Sequence, residues 1–157
     1  KADSIGIWIT LLLISQSFGS VIVPIIATRS GFKITYILGL SFHFIASVLF
    51  ISDPLLFQNL IFICAGLGSG TFLTSQSNIS VEIGSVGDAG NTNALLTAFR
   101  LPGLITGPFI FAYFVNLENI NLFLYISLLS SIAGILIMQL RMKNNILPQV
   151  RFWSKDS

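Results

Sequence analysis

The sequence predicts an all-α membrane protein built from five transmembrane helices, and three observations carry that prediction. Of its 157 residues only 9% are charged, where a soluble domain carries about 25%. Apolar residues make up 54% and the mean hydropathy is +0.87. The few charges are also spaced so that they leave uninterrupted apolar gaps of bilayer length, about 20 residues each. Within those gaps polar and apolar residues do not alternate, as they would in the strands of a membrane barrel. Six acids and eight bases are too few to cover a water-facing surface of this size. A soluble enzyme, a nucleic-acid binder and a disordered chain are excluded on that ground.

Each helix follows from one gap. Ser4 to Thr28 carries no charge and predicts a span over about residues 5–27, interrupted by Gln16 and Ser17. Ile34 to Ser52 predicts the second span, 34–52, with the chain's one histidine, His43, near its middle. Pro54 to Val81 predicts the third, 55–79. Asn93 to Val115 predicts the fourth, 93–115, with a single charge at Arg100. Asn119 to Leu140 predicts the fifth, 119–140. Residues 1–140 thus form a transmembrane bundle and 141–157 a polar tail. A single cysteine, Cys64, excludes an intramolecular disulfide and a cysteine-based zinc site. No metal or cofactor is expected.

The loop charges predict an orientation. With five spans, Arg29, Lys33, Arg141, Lys143, Arg151 and Lys155 share one side, and only Lys1 lies on the other. Bases concentrate on the cytosolic side of membrane proteins, so the tail is expected in the cytosol and the Lys1 end outside. Glu82 and Asp88 fall in a cytosolic loop without bases, but acids weigh little in this rule. The tail, with Phe152 and Trp153 among its bases, suits either an interfacial anchor or a loose terminus.

Several motifs stand out. Arg29-Ser30-Gly31-Phe32-Lys33 makes a tight joint between two long helices. Its bases are either a topology signal or partners for the partly negative C-terminal ends of helices. Gly66-Leu67-Gly68-Ser69-Gly70 has the spacing of a phosphate-cradling loop, but it lies inside an apolar span rather than after a strand. Close approach of helix backbones is the reading that fits. Thr74, Ser75, Gln76, Ser77, Asn78 and Ser80 either line a water-filled cavity or bond neighbouring helices. Asn78-Ile79-Ser80 also matches the N-glycosylation pattern, at an end of the span expected in the cytosol. Gln16 has the same two readings. His43 either relays protons or packs as a neutral ring.

The fourth span is the most specific. If the helix enters the bilayer near Asn93, Arg100 lies about 10 Å inside. A charge at that depth costs several kcal/mol unless it pairs, faces water or snorkels to the headgroups. Pro102 and Pro108 each remove an amide donor, which should bend the helix. Gly103 and Gly107 offer a thin face for helix contact. A bent helix carrying an Arg suits a moving part, and holds no catalytic constellation. An intramembrane enzyme would want a carboxylate pair, a His cluster or a Ser/Lys arrangement within the spans.

Taken in order, these motifs resemble the C-terminal half of a major facilitator superfamily transporter, especially the 14-span drug:proton antiporter branch. Arg29-x-Gly31-x-Lys33 is similar to a degenerate second copy of the family's cytosolic loop, with Pro24, Thr28 and Phe32 in place of its first Gly, its Asp and one Arg. The Gly66–Gly70 run looks like the glycines of the third helix of that half. Gly90-Asn91-Thr92-Asn93-Ala94-Leu95-Leu96, then Phe99-Arg100 and Gly103-x-x-x-Gly107, resembles the following loop and helix. Typical members read Phe-Arg-Gln-Leu-Gly-Gly there; this chain has Leu101-Pro102-Gly103-Leu104. Covering residues 1–140, the resemblance implies a six-helix half-bundle whose first helix is missing from this chain, with an N-terminal half as partner. It also implies alternating access around a midplane site. The expected function is export of a small organic solute in exchange for protons. Arg100 would be a charge partner or gate element, with Pro102, Gly103, Gly107 and Pro108 shaping its helix. Arg29, Gly31 and Lys33 would form a conformational latch, and Gln16, Gln76 and Asn78 are cavity candidates. No Asp or Glu lies clearly inside a span, so coupling carboxylates are expected in the other half. The reading from a different class is a small polytopic assembly or regulatory protein without transport activity.

Overall fold

A chain with so few charges can satisfy its backbone within a bilayer only through helices or a closed barrel, and the computed structural model contains helices. It describes residues 2–83, 89–116 and 119–141, with side chains placed for these except at 2–4, 82, 83, 89, 92, 93, 96, 99, 100, 103, 104, 108, 115, 116 and 141. Among the described residues five helices follow one another: α1 Ala2–Ser30, α2 Phe32–Ser52, α3 Gln58–Ile83, α4 Ala89–Asn116 and α5 Ile120–Arg141. Four of them are long and apolar enough to cross a membrane, over Ile5–Ser30, Phe32–Ser52, Gln58–Val81 and Ile120–Leu140. In α4 the apolar stretch among the described residues is shorter, Ile105–Phe114.

Local chemistry sets the joints. Between α1 and α2 stands one residue, Gly31, at φ 79°, where a Cβ would crowd the backbone. Its amide closes the end of α1 by donating to Ala27 O at 2.8 Å. After α2, the Asp53 carboxylate accepts the amides of Leu55 and Leu56, each at 3.0 Å. This cap holds residues 53–57 as a turn, so α3 starts at Gln58 rather than at the beginning of the charge-free stretch.

The centre of the bundle is α3, held between α1 and α2. Its glycines make this possible. A Cβ on Gly66 would collide with Leu12 O of α1, and one on Gly70 with Gln16 O. From the opposite side, a Cβ on Gly19 would stand 2.8 Å from Leu67 O. Toward α2, a Cβ on Gly68 would meet Gly39 O at 3.0 Å and the His43 ring at 3.1 Å, and one on Gly39 would meet Phe72 N at 2.7 Å. Because successive helical residues are about 100° apart, Gly66 and Gly70 lie on one face and Gly68 on another. The run therefore serves two neighbours at once. Close packing, the reading favoured by its place in an apolar span, is what the glycine run does.

Near the α1–α2 joint the core is Val23, Ala27 and Phe32, with Ile79 of α3 against them. At the other end of α1, Trp8 stacks on Phe62 of α3, centroids 6.0 Å apart. The fifth helix lies antiparallel along α2: Lys33 meets Gln139, Leu40 meets Gly134 and Ser47 meets Ser127. These α2 contacts recur every seven residues, as the seam of packed helices does. The fourth helix is held most lightly. Phe111 and Phe114 pack on Phe123 of α5, while Leu95, Leu101, Ile105 and Phe109 are exposed, the last to 74%.

Gly70 and Gly107 make opposite predictions. Replacing Gly by Ala in a helix is intrinsically favourable by about 1 kcal/mol. At Gly70 the new methyl runs into the α1 backbone, and overpacking of this kind costs about 1–3 kcal/mol or more. Gly70→Ala should lower the thermal unfolding midpoint of the detergent-solubilised protein. A Cβ on Gly107 meets nothing within 4 Å, so Gly107→Ala should leave the midpoint unchanged or raise it.

Candidate functional site

The residues nominated from sequence fall into three places. The first is the α1–α2 joint. Arg29 is exposed in the last turn of α1 and Gly31 is buried. Lys33 reaches across to α5, its Nζ donating to the Gln139 carbonyl at 3.4 Å. Gln139 lies in the last turn of α5, where carbonyls have no partner within the helix. Of the two readings open for these bases, pairing with a helix C-terminus is the one Lys33 realises, in the geometry the helix dipole favours. The contact ties the first joint of the chain to the end of its last described helix.

The second place is the polar second half of α3. Its hydroxyls mostly bond their own helix: Thr71 to Leu67 O at 2.7 Å, Ser77 to Leu73 O at 3.0 Å and Ser80 to Gln76 O at 2.7 Å. The Asn78 amide donates to Thr74 O at 2.9 Å. Ser75 bonds across to another helix. Ser75 Oγ donates to Thr35 Oγ1 of α2 at 2.7 Å, and both residues are 0% exposed. Thr35 passes its own proton to Phe32 O at 2.9 Å, so the chain of hydroxyls is fully satisfied. No described buried side-chain nitrogen or oxygen lacks a partner.

Gln16, Gln76 and Asn78 are partly buried. Gln16 belongs to the α1–α3 crossing, where its carbonyl abuts Gly70 and accepts from Ser20 Oγ at 3.1 Å. On α3 itself the Asn78 side-chain amide donates to Thr74 O, and the Gln76 backbone carbonyl accepts from Ser80 Oγ. A groove of about 250 Å³ is present elsewhere, lined by Phe44, Ile132, Ile135 and Leu136, and none of the three candidates borders it. His43 packs rather than bonds: its ring sits against Gly68 and edge-on to Phe72, centroids 6.5 Å apart. Tyr36 completes this cluster at 4.8 Å from the same Phe72 ring.

The third place is α4. Pro102 is exposed, Gly107 is partly exposed, and Thr106 Oγ1 donates to Pro102 O at 2.7 Å. The side chains of Arg100 and Pro108, and the surroundings of Gly103, lie outside the described residues, although all three positions are within the helix. Sequence reasoning named the bases of the joint but not Gln139, 106 residues away. It named Ser75 but not Thr35 as its partner, because the pairing depends on the register of two helices. No protein-family model matches this chain, and neither curated proteins nor solved structures yield a match.

Two measurements check this geometry. Gly31→Ala should cost about 1–3 kcal/mol of stability, since φ 79° with ψ 161° is a backbone conformation open essentially to glycine alone. A double-mutant cycle of Thr35→Val and Ser75→Ala should give a coupling of about 0.6 kcal/mol, the usual size for a hydrogen bond between membrane helices. Both are read by unfolding in detergent.

Proposed function

We propose that this chain forms part of one half of a major-facilitator-type secondary transporter, moving a small organic solute by alternating access in exchange for protons. The observation that carries this reading is a mechanical contrast within the bundle. Helices α1, α3 and α2 touch backbone to backbone through glycines. Such a unit moves as a rigid body. By contrast α4, with Arg100 and two prolines in its sequence, exposes its apolar side chains along most of its described length. Rocking transporters need both parts, a stiff bundle and an element free to change its contacts. The order of the loop motif, glycine run and Phe-Arg helix along the sequence supports the same family.

In this mechanism α4, the chain's fourth helix, is the fifth span of the six-helix half and Arg100 its intramembrane charge, stabilised by a partner or by water in one of the two states. Arg29, Gly31 and Lys33 act as the latch, with Lys33 on the α5 terminus in the closed arrangement. Lipid surrounds the bundle, the bases of the joint and the tail face the cytosol, and the other half supplies the coupling carboxylates.

Arg100→Ala should lower solute export by the intact protein without lowering its abundance in the membrane. Unchanged export at unchanged abundance would make Arg100 a snorkelling anchor. An antibody against residues 144–157, applied to membranes of the source cells, should detect a polypeptide several times longer than 157 residues. A species of this length that co-purifies with another membrane protein and exports nothing would favour the assembly-protein reading instead.

A further inference from the structure

We infer that the turn between α2 and α3, residues 53–57, is a lipid-contact site: it lays Leu55 and Leu56 into the interfacial layer of the leaflet opposite the α1–α2 joint. Among the described residues Leu55 is the most exposed large apolar side chain, at 83%, and Leu56 stands at 73%. Leu60, four residues after Leu56 and also exposed, continues the apolar strip onto α3.

The backbone of the turn is made for the same medium. The Asp53 amide donates to Leu49 O at 3.2 Å, and the Phe57 amide to Asp53 O at 3.1 Å. Those of Leu55 and Leu56 donate to the Asp53 carboxylate, and Pro54 has no amide hydrogen to place. No N–H from 53 to 57 is left for solvent. A turn in water can give its amides to the solvent, but where lipid excludes water each unpaired one is costly. Leucines turned outward over a backbone with every donor satisfied meet what a lipid boundary demands.

Depth puts the turn at that boundary. Helix α2 has 21 residues, about 31 Å, against about 30 Å of hydrocarbon, so the turn leaves α2 where the hydrocarbon ends. Two aromatic residues mark nearly the same level. Trp8 stacks on Phe62, four residues into α3 and so about 6 Å from its start. Tyr125 of α5, half exposed, precedes by two residues Ser127, which meets Ser47. In an antiparallel pair that places it level with Leu49, about 6 Å along α2 from Asp53. Trp and Tyr concentrate at membrane–water interfaces. The turn therefore falls just beyond them, in the interfacial layer, which is about 5–7 Å thick on each side.

The inference rests on these helices crossing a bilayer. It is tested with the full chain in phosphatidylcholine vesicles, with Cys64→Ala so that a nitroxide has a single thiol to label. The label is placed at Leu56→Cys or, as a reference on the exposed middle of α2, at Ile45→Cys. Its collisions with oxygen, which concentrates in lipid, and with a water-soluble nickel chelate give its depth. The Leu56 label should lie about 15–22 Å from the bilayer midplane, and the Ile45 label about 12 Å deeper. Asp53→Ala, which frees two amides, should shift the Leu56 label outward into water, while Asp53→Asn, which keeps an acceptor oxygen, should hold it in place. Circular dichroism should be the same for all variants. A Leu56 label in water while the Ile45 label is in lipid would overturn the site and leave the membrane reading standing. A Leu56 label shielded from both collision partners would mean that protein covers the turn, and would overturn it too. An unchanged depth in Asp53→Ala would do the same, because the capped turn would not be what places the leucines. Both labels in water would overturn the site and the membrane reading together.

Discussion

The whole arrangement depends on the contact between the α3 backbone and its two neighbours. In a bilayer the hydrophobic effect gives no reason for one helix to leave lipid for another, because lipid tails are as apolar as leucine. Association has to come from dispersion and hydrogen bonds at short range, and both need the backbones close. Gly66 and Gly70 bring α1 that near, and Gly68 with Gly39 brings α2. Once the axes are this close, small hydroxyl residues come within bonding distance, and Ser75 and Thr35 meet in a fully buried pair. The polar bond follows from the steric one.

The same constraint explains why the joint between α1 and α2 is a single residue. Two helices that both pack on α3 must reverse direction within a short distance, and only a residue tolerant of positive φ turns the chain at one position. Gly31 does so. Lys33 then emerges on the α5 side of α2, two residues after the turn, and closes on the carbonyl of Gln139 in the last turn of α5. A loop that length and charge alone would assign to topology has a second use, as a tie between the ends of the bundle.

Much of the fold was legible in the sequence because lipid imposes a plain rule. A charge-free stretch of about 20 residues suits a helix there, and the gaps from Ser4, Ile34, Pro54 and Asn119 each coincide with a helix long and apolar enough to cross a membrane; the stretch from Asn93, interrupted by Arg100, is helical but shows only a shorter apolar run among the described residues. The glycine run was legible for the same reason, since a phosphate loop needs water and a strand before it. Partners were not legible. Nothing in the spacing of Ser75 names Thr35, and nothing in Lys33 names Gln139, because register between helices is set by the sum of many contacts. Nor did polarity alone identify a cavity. Thr71, Ser77 and Ser80 return their protons to their own helix, an option that a sequence read for solvent-lining residues does not exclude.

Glycine spacing carries the same lesson about context. Gly66 and Gly70 repeat at four residues, and so do Gly103 and Gly107, yet a Cβ would collide at the first pair and meet nothing at Gly107. A thin helix face is a contact only when a neighbour stands on it. On α3 the neighbour is α1, and the face is consumed. On α4 the described side of Gly107 is open, beside exposed Ile105, Phe109 and Ile110. In the proposed transporter that difference has a mechanical meaning: a face already filled fixes the rigid unit, and a face left open belongs to the helix whose neighbours change between states. Filling Gly107 should therefore leave the stability of this bundle untouched while it slows transport by the whole protein, a separation of effects that filling Gly70 cannot produce.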